Sequence, residues 1–164
     1  MANSSVFSVL FVCTGNTCRS PMAQALLESK LPPELRPQVR VSSAGVGAAD
    51  GAPASPNTVS VLSRNGVSLR DHRSRKLTRE QVLEVDLVLA VTPEHRRAVL
   101  ALAPEAEART FVLSTYGAPP AREDPLPVHD PVGGSLEIYE ETYRRISTHL
   151  DRVLPEILSR VGAA

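Results

Sequence analysis

The sequence predicts a three-layer α/β fold, a four-stranded parallel sheet with helices on both faces and a phosphate loop after the first strand, and three observations carry that expectation. Short apolar or β-branched runs alternate with longer helical patterns, as they do where a parallel sheet is covered on both sides. A segment containing Cys, Gly, Asn and Arg joins the first apolar run to the first helical pattern. A long amphipathic stretch closes the chain. At 164 residues, the whole of 1–164 reads as one domain, long enough to bury a single sizeable core.

Taken in order, the strands are expected at Phe7 to Val12, Val39 to Ser43, Leu87 to Val91 and Thr110 to Leu113. Pro21-Met22-Ala23-Gln24-Ala25-Leu26-Leu27 is helix-like, with its proline in the first turn. Thr78-x-x-Gln81 resembles a capping box, and Thr92-Pro93 supplies an N-cap with proline at the first helical position. The helix that follows should run from Pro93 to Ala103 and stop at Pro104. Tyr139, Tyr143, Ile146, Leu150, Val153, Ile157 and Val161 step by three and four, so one face of a C-terminal helix should pack on the sheet. Pro155 is expected to bend that helix or to mark a break near its end. Two stretches read as loops. Gly45 to Asn57 should lie near the mouth of the phosphate loop, because ligands of open parallel sheets gather at the carboxyl ends of the strands. Ser114 to Gly134, with five prolines, has the length of a functional or mobile loop.

The loop after the first strand reads Cys13-Thr14-Gly15-Asn16-Thr17-Cys18-Arg19-Ser20. A cysteine and an arginine that bracket five residues, with a Gly-Asn turn between them, can wrap backbone N–H groups around one phosphate dianion and leave the sulfur facing phosphorus. A free thiol ionises near pH 8.5, and aligned amides, a helix N-terminus and a guanidinium all favour the thiolate. Thr14, Gly15, Asn16, Thr17, Cys18 and Arg19 are therefore candidate phosphate-binding residues, with Cys13 as nucleophile.

Composition excludes other classes. Lys plus Arg balance Asp plus Glu at 18 each, which argues against a nucleic-acid or membrane-surface protein held by bulk charge. No apolar run is long enough to span a bilayer and the first residues lack a signal peptide's regions, so the expected compartment is the cytoplasm. The two cysteines, Cys13 and Cys18, both lie in the loop and cannot staple distant parts of the fold. The four histidines, His72, His95, His129 and His149, lack ligand spacing for a metal and read as surface residues. The five residues His72 to Lys76 read as a solvated basic loop.

With these segments on the page, the chain resembles the low-molecular-weight protein tyrosine phosphatases, whose C-x5-R-S loop follows the first strand. Val41-Ser42-Ser43-Ala44-Gly45 is similar to that family's second strand, His72 to Thr78 to its basic mid-chain segment, and Asp130-Pro131-Val132-Gly133-Gly134-Ser135 to the loop that carries its general acid. The resemblance implies attack of Cys13 on phosphorus, with Arg19 and the loop amides holding the equatorial oxygens, protonation of the leaving group by Asp130, and hydrolysis of a phosphocysteine. It implies no metal and no cofactor. It also implies that Ser20 hydrogen-bonds the thiolate, that Asn16 with Ser43 holds the loop in its strained conformation, and that the partners are phosphorylated proteins acted on by a monomer. Asp124-Pro125 competes for the acid's role, and family position favours Asp130.

The bacterial branch that removes phosphate from arginine side chains carries a loop identical to residues 13 to 20. Thr17 stands where phosphotyrosine enzymes have a bulky aliphatic residue, and its hydroxyl suits the N–H donors of a phosphoarginine guanidinium. Val132 stands where that branch often has an aromatic and would form the pocket's other wall. Phosphotyrosine is the alternative substrate. An arsenate reductase would require further cysteines, and a non-catalytic phosphate-binding module would not require Asp130. A low-pKa thiolate at Cys13 would be open to peroxide, and Cys18 could trap it as a disulfide or could instead be a buried small residue pointing away.

Overall fold

Unbroken apolar runs, rather than alternating ones, mark strands buried on both faces, and the computed structural model, which describes residues 5–69, 71–117 and 128–162, contains four of them. β1 (Phe7–Cys13), β2 (Val39–Gly45), β3 (Leu87–Ala90) and β4 (Thr110–Val112) form one sheet in the order β2-β1-β3-β4. Every neighbouring pair is parallel, with Cys13 opposite Gly45 and Val12 opposite Ala90. β1 is thus flanked by strands to which the chain crosses in opposite directions, and the end of β1 lies at the point where the order reverses.

Among the described residues five α-helices cover the sheet: α1 (Arg19–Lys30), α2 (Pro56–Arg64), α3 (Arg79–Leu83), α4 (Pro93–Leu102) and α5 (Leu136–Gly162). The two-residue period of β1 sends Val9, Phe11 and Cys13 into a core shared with Met22 and Leu26 of α1, Val61 and Leu62 of α2, and Ile146 and Leu150 of α5. Leu10 and Val12 point the other way, into a smaller core with Val82 of α3 and with Val99 and Ala103 at the end of α4. The capping box at Thr78 and the Thr92 cap before Pro93 both form. Among the described residues no helix is long and apolar enough to cross a membrane.

Several expectations need correction. β3 and β4 each end one residue early, before Val91 and Leu113, although both residues remain buried. The loop expected over Gly45 to Asn57 gives way to α2 at Pro56, where the Ser55 hydroxyl accepts from the Thr58 amide and proline occupies the first turn. α5 does not break at Pro155, because Val153, Ile157 and Val161 are buried on both sides of it and hold the helix to the core through the lost hydrogen bond. The surface reading of the histidines holds for His129 alone. His95 and His149 are only 5% and 3% exposed, and His72 is half-buried.

Candidate active site

Parallel pairing carries Cys13 to the carboxyl end of the sheet, where the chain must turn at once to begin α1. Asn16 makes that turn with φ of 55°, in the left-handed region that asparagine tolerates better than most side chains. Its side chain is fully buried and fully partnered. Nδ2 donates to Ser20 Oγ at 2.8 Å and to Ser43 Oγ at 2.9 Å, and Oδ1 accepts from the Arg75 amide at 3.0 Å. Ser43 Oγ in turn donates to Gln24 Oε1 at 2.8 Å. The turn is therefore clamped from β2, from α1 and from the 72–77 segment.

The same network reaches the sulfur. Ser20 Oγ lies 2.9 Å from Cys13 Sγ and accepts from Asn16, and it donates its own hydrogen to the sulfur when Cys13 is a thiolate, which can only accept. The Asn16 amide also donates to Sγ, at 3.3 Å. On a thiolate, two donors thus converge on Cys13, close to the start of α1, where the helix dipole favours an anion.

Arg19 is buried, and its guanidinium spans the cradle and the returning chain. Nη1 donates to the Val128 carbonyl at 3.2 Å, and Nη2 lies 3.7 Å from Asp130 Oδ2. Asp130 has a side chain 49% exposed and accepts at Oδ1 from the Val132 amide at 3.0 Å, which fixes the carboxylate at the mouth. Val132 itself is 66% exposed beside it. Asp124 lies outside the described residues. Thr14 and Gly15 are exposed on the rim, Thr17 is half-buried, and Cys18 is buried. Cys18 Sγ contacts Ser55 Oγ at 3.4 Å and the Tyr139 hydroxyl at 3.5 Å, so the first turn of α5 reaches the back of the loop.

Segment 45–57 packs against the cradle, as its composition suggests. The Val46 and Gly47 amides donate to the Cys13 and Thr14 carbonyls at 2.9 Å each, and Ser55 N donates to Thr17 O at 2.9 Å. A Cβ on Gly45 would collide with the Thr14 carbonyl oxygen and come within 2.9 Å of Asn16 N.

Sequence reading missed two further groups. His72 to Lys76 is no solvated loop. His72 Nε2 is 2.6 Å from the Asn16 carbonyl, Arg75 Nε donates to the Ser43 carbonyl at 2.9 Å, and Gly45 N donates to Arg75 O at 3.0 Å. The segment runs beside β2 as an extra bridge at Lys76, and no local pattern announces that placement. His95 is the other. Its Nε2 is 2.8 Å from Thr14 Oγ1 and its Nδ1 is 2.9 Å from Thr92 Oγ1, while burial, with the nearby Arg19 charge, holds its pKa down at about 4. The Thr-Pro-x-His spacing at the end of an expected β3 was the available signal, since it returns the third helical residue to its cap beside the end of β1.

Comparison with known proteins agrees with this geometry. Residues 8–162 match the family model for low molecular weight phosphotyrosine protein phosphatase. The chain is 39% identical over 151 residues to a protein-arginine-phosphatase of Geobacillus stearothermophilus, covering 92% of this chain and 96% of that one. It is 38% identical over 143 residues to the low molecular weight protein-tyrosine-phosphatase Etp of Escherichia coli K12, covering 87% and 89%. The structure of the YwlE arginine phosphatase from Geobacillus stearothermophilus superposes with a TM-score of 0.82 at 39% identity over 94% of each chain.

Proposed function

The chain belongs to the low molecular weight phosphotyrosine protein phosphatase family, and from that premise we propose that it removes phosphate from arginine side chains of proteins through a phosphocysteine on Cys13. The observation that supports the chemistry is the pair of donors on Cys13 Sγ within a cradle closed by Arg19 and Asp130.

In the first step the Cys13 thiolate attacks phosphorus and the P–N bond to the guanidine breaks. Arg19 and the amides of residues 14–18 hold the equatorial oxygens, whose charge persists through the transition state. Asp130, entering protonated, gives its proton to the departing nitrogen. In the second step Asp130, now a carboxylate, takes a proton from water. The resulting hydroxide attacks phosphorus, the S–P bond breaks, and phosphate and the Cys13 thiolate are released. Ser20 holds the sulfur in both steps, while Asn16 and Ser43 keep the loop wound around the anion.

Preference for arginine rests on Thr17. A guanidinium leaving group brings N–H donors, which the Thr17 hydroxyl and the carbonyl oxygen of the Asp130 carboxyl group can accept and an aliphatic wall would leave unpaired. The named arginine phosphatase among the relatives supports this reading. Phosphotyrosine is the second reading, favoured by the comparable identity to Etp. Side-by-side specificity constants on phosphoarginine and phosphotyrosine proteins separate the two, with the larger value expected for phosphoarginine and the reverse order assigning the chain to tyrosine.

Oxidation offers a reversible off-state. Peroxide converts the Cys13 thiolate to a sulfenic acid, and the Cys18 thiol displaces water from it to form a disulfide. Dithiol rescue after peroxide should succeed in wild type and fail in Cys18→Ser, whereas equal rescue of both removes the protective role.

A further inference from the structure

β2 is an edge strand, and its free side meets the 72–77 segment, where the Gly45 amide donates to the Arg75 carbonyl. Beside that pairing, bounded by α1, β2 and residues 71–75, lies an open cavity of about 210 Å³. Gln24, Ser42, Ser43, Asp71, His72, Arg73 and Arg75 line it, and none of the cradle residues 13–19 is among them. Its volume falls short of the roughly 300 Å³ at which sites for drug-sized ligands begin, so it suits a small ion or a single functional group.

What the cavity can bind follows from which donors are spare. Gln24 Nε2 is spent on the Val41 carbonyl and Glu28, the Ser42 hydroxyl on the Val9 carbonyl, and the Ser43 hydroxyl on Gln24. His72 Nε2 lies 2.6 Å from the Asn16 carbonyl, which can only accept, so the hydrogen of the neutral ring is spent as well. Arg75 donates through Nε to the Ser43 carbonyl. Among the described residues its two terminal amino groups have no partner, and neither has the guanidinium of Arg73, which is exposed. Asp71, the one carboxylate in the lining, pairs with neither arginine. The spare side-chain donors of this cavity therefore belong to two guanidinium groups, and planar forks of that kind select oxyanions. One fork fills a carboxylate, whereas a tetrahedral phosphate presents further oxygens to a second. Phosphate is also what enzymes of this family release and what their substrates carry.

We infer that this cavity is a second phosphate site, separate from the cradle, in which Arg73 and Arg75 hold one phosphate group, either inorganic phosphate released by the reaction or a second phosphorylated side chain of the substrate protein. Arg75 also gives its amide to Asn16 Oδ1, so the site adjoins the clamp on the cradle while drawing on none of the cradle's own donors.

The test titrates the 15N-labelled full chain with inorganic phosphate at constant ionic strength and follows backbone amides and arginine side chains by NMR. Two saturable processes with different dissociation constants are expected, one on residues 14–19 and the other on Ser42, Arg73 and Arg75. Arg73→Gln should weaken the second about tenfold or more, as loss of a hydrogen bond to a charged group requires, and should leave the first process and the turnover of an aryl phosphate within about twofold. Arg73→Lys, which keeps the charge without the fork, should recover only part of the loss. A second process that never saturates, one that saturates together with the first and survives Arg73→Gln, or full recovery in Arg73→Lys each overturn the site. These measurements read phosphate binding, so they stand whether phosphoarginine or phosphotyrosine is the substrate. Peptides then separate the two sources. A second phosphorylated residue that lowers KM in wild type and not in Arg73→Gln identifies the substrate as the source, and equal KM values beside an intact second process identify free phosphate.

Discussion

Asn16 shows how one residue can serve the backbone and the chemistry together. A left-handed turn admits few side chains, and asparagine alone among them offers two donors and an acceptor on a short stem, which here meet Ser20, Ser43 and Arg75. Through Ser20 it also holds the hydroxyl that lies 2.9 Å from Cys13 Sγ. Cys13, Arg19 and the Gly-Asn turn were legible in the sequence because their chemistry lies within eight consecutive residues. His72, Arg75 and His95 were not, since they reach the loop only through strand pairing with residues far away in the chain. Asp130 sits between these cases, found by its place before Gly133-Gly134 and now within 3.7 Å of Arg19. We expect Asp130→Asn to lower turnover about a hundredfold or more on a poor leaving group and far less on an activated aryl phosphate, because only the former requires the proton. Equal losses on both would move the acid elsewhere.

At the scale of elements, β1 and β2 extend to Cys13 and Gly45 as a register pair, and the close approach there admits no side chain on residue 45. Gly45→Ala should lower the unfolding free energy by about 1–3 kcal/mol, the usual cost of overpacking a rigid neighbourhood, and should weaken binding of inorganic phosphate as Asn16 is displaced. Denaturant unfolding and phosphate titration measure the two. An unaffected phosphate affinity would mean that the 45–48 turn does not shape the cradle. The strands were legible as apolar runs and α5 from its three- and four-residue spacing, whereas the start of α2 was hidden at the end of a run of Gly, Ala, Ser and Pro that reads as loop until Ser55 is recognised as its cap. Pro155 misled in the other direction, since buried neighbours outweigh one missing amide.

For the molecule as a whole, buried histidines tie stability to pH. Burial lowers the pKa of both His95, to about 4, and His72, while in the unfolded chain each titrates near 6.5. The unfolded state therefore binds more protons as the solution is acidified. Their contribution to stability is complete above pH 6.5 and is lost as the pH falls through that value toward 4. Unfolding free energy measured from pH 7 to 4 should fall, with a shallower slope in His95→Gln. An unchanged slope would show that the folded protein accommodates the His95 charge.

The parallel sheet places cradle, guanidinium and carboxylate at one switch point, and Thr17 within that cradle is where the choice of phosphorylated residue is tested most directly. Thr17→Ile exchanges a hydroxyl for hydrocarbon and leaves Cys13, Arg19 and Asp130 in place. With specificity constants measured on phosphoarginine and phosphotyrosine proteins for wild type and variant, we expect the ratio to shift toward phosphotyrosine by about one to two decades, as loss of a hydrogen bond to a charged group requires. An equal slowing of both substrates, or a wild type that already prefers phosphotyrosine by a wide margin, would contradict the assignment to arginine.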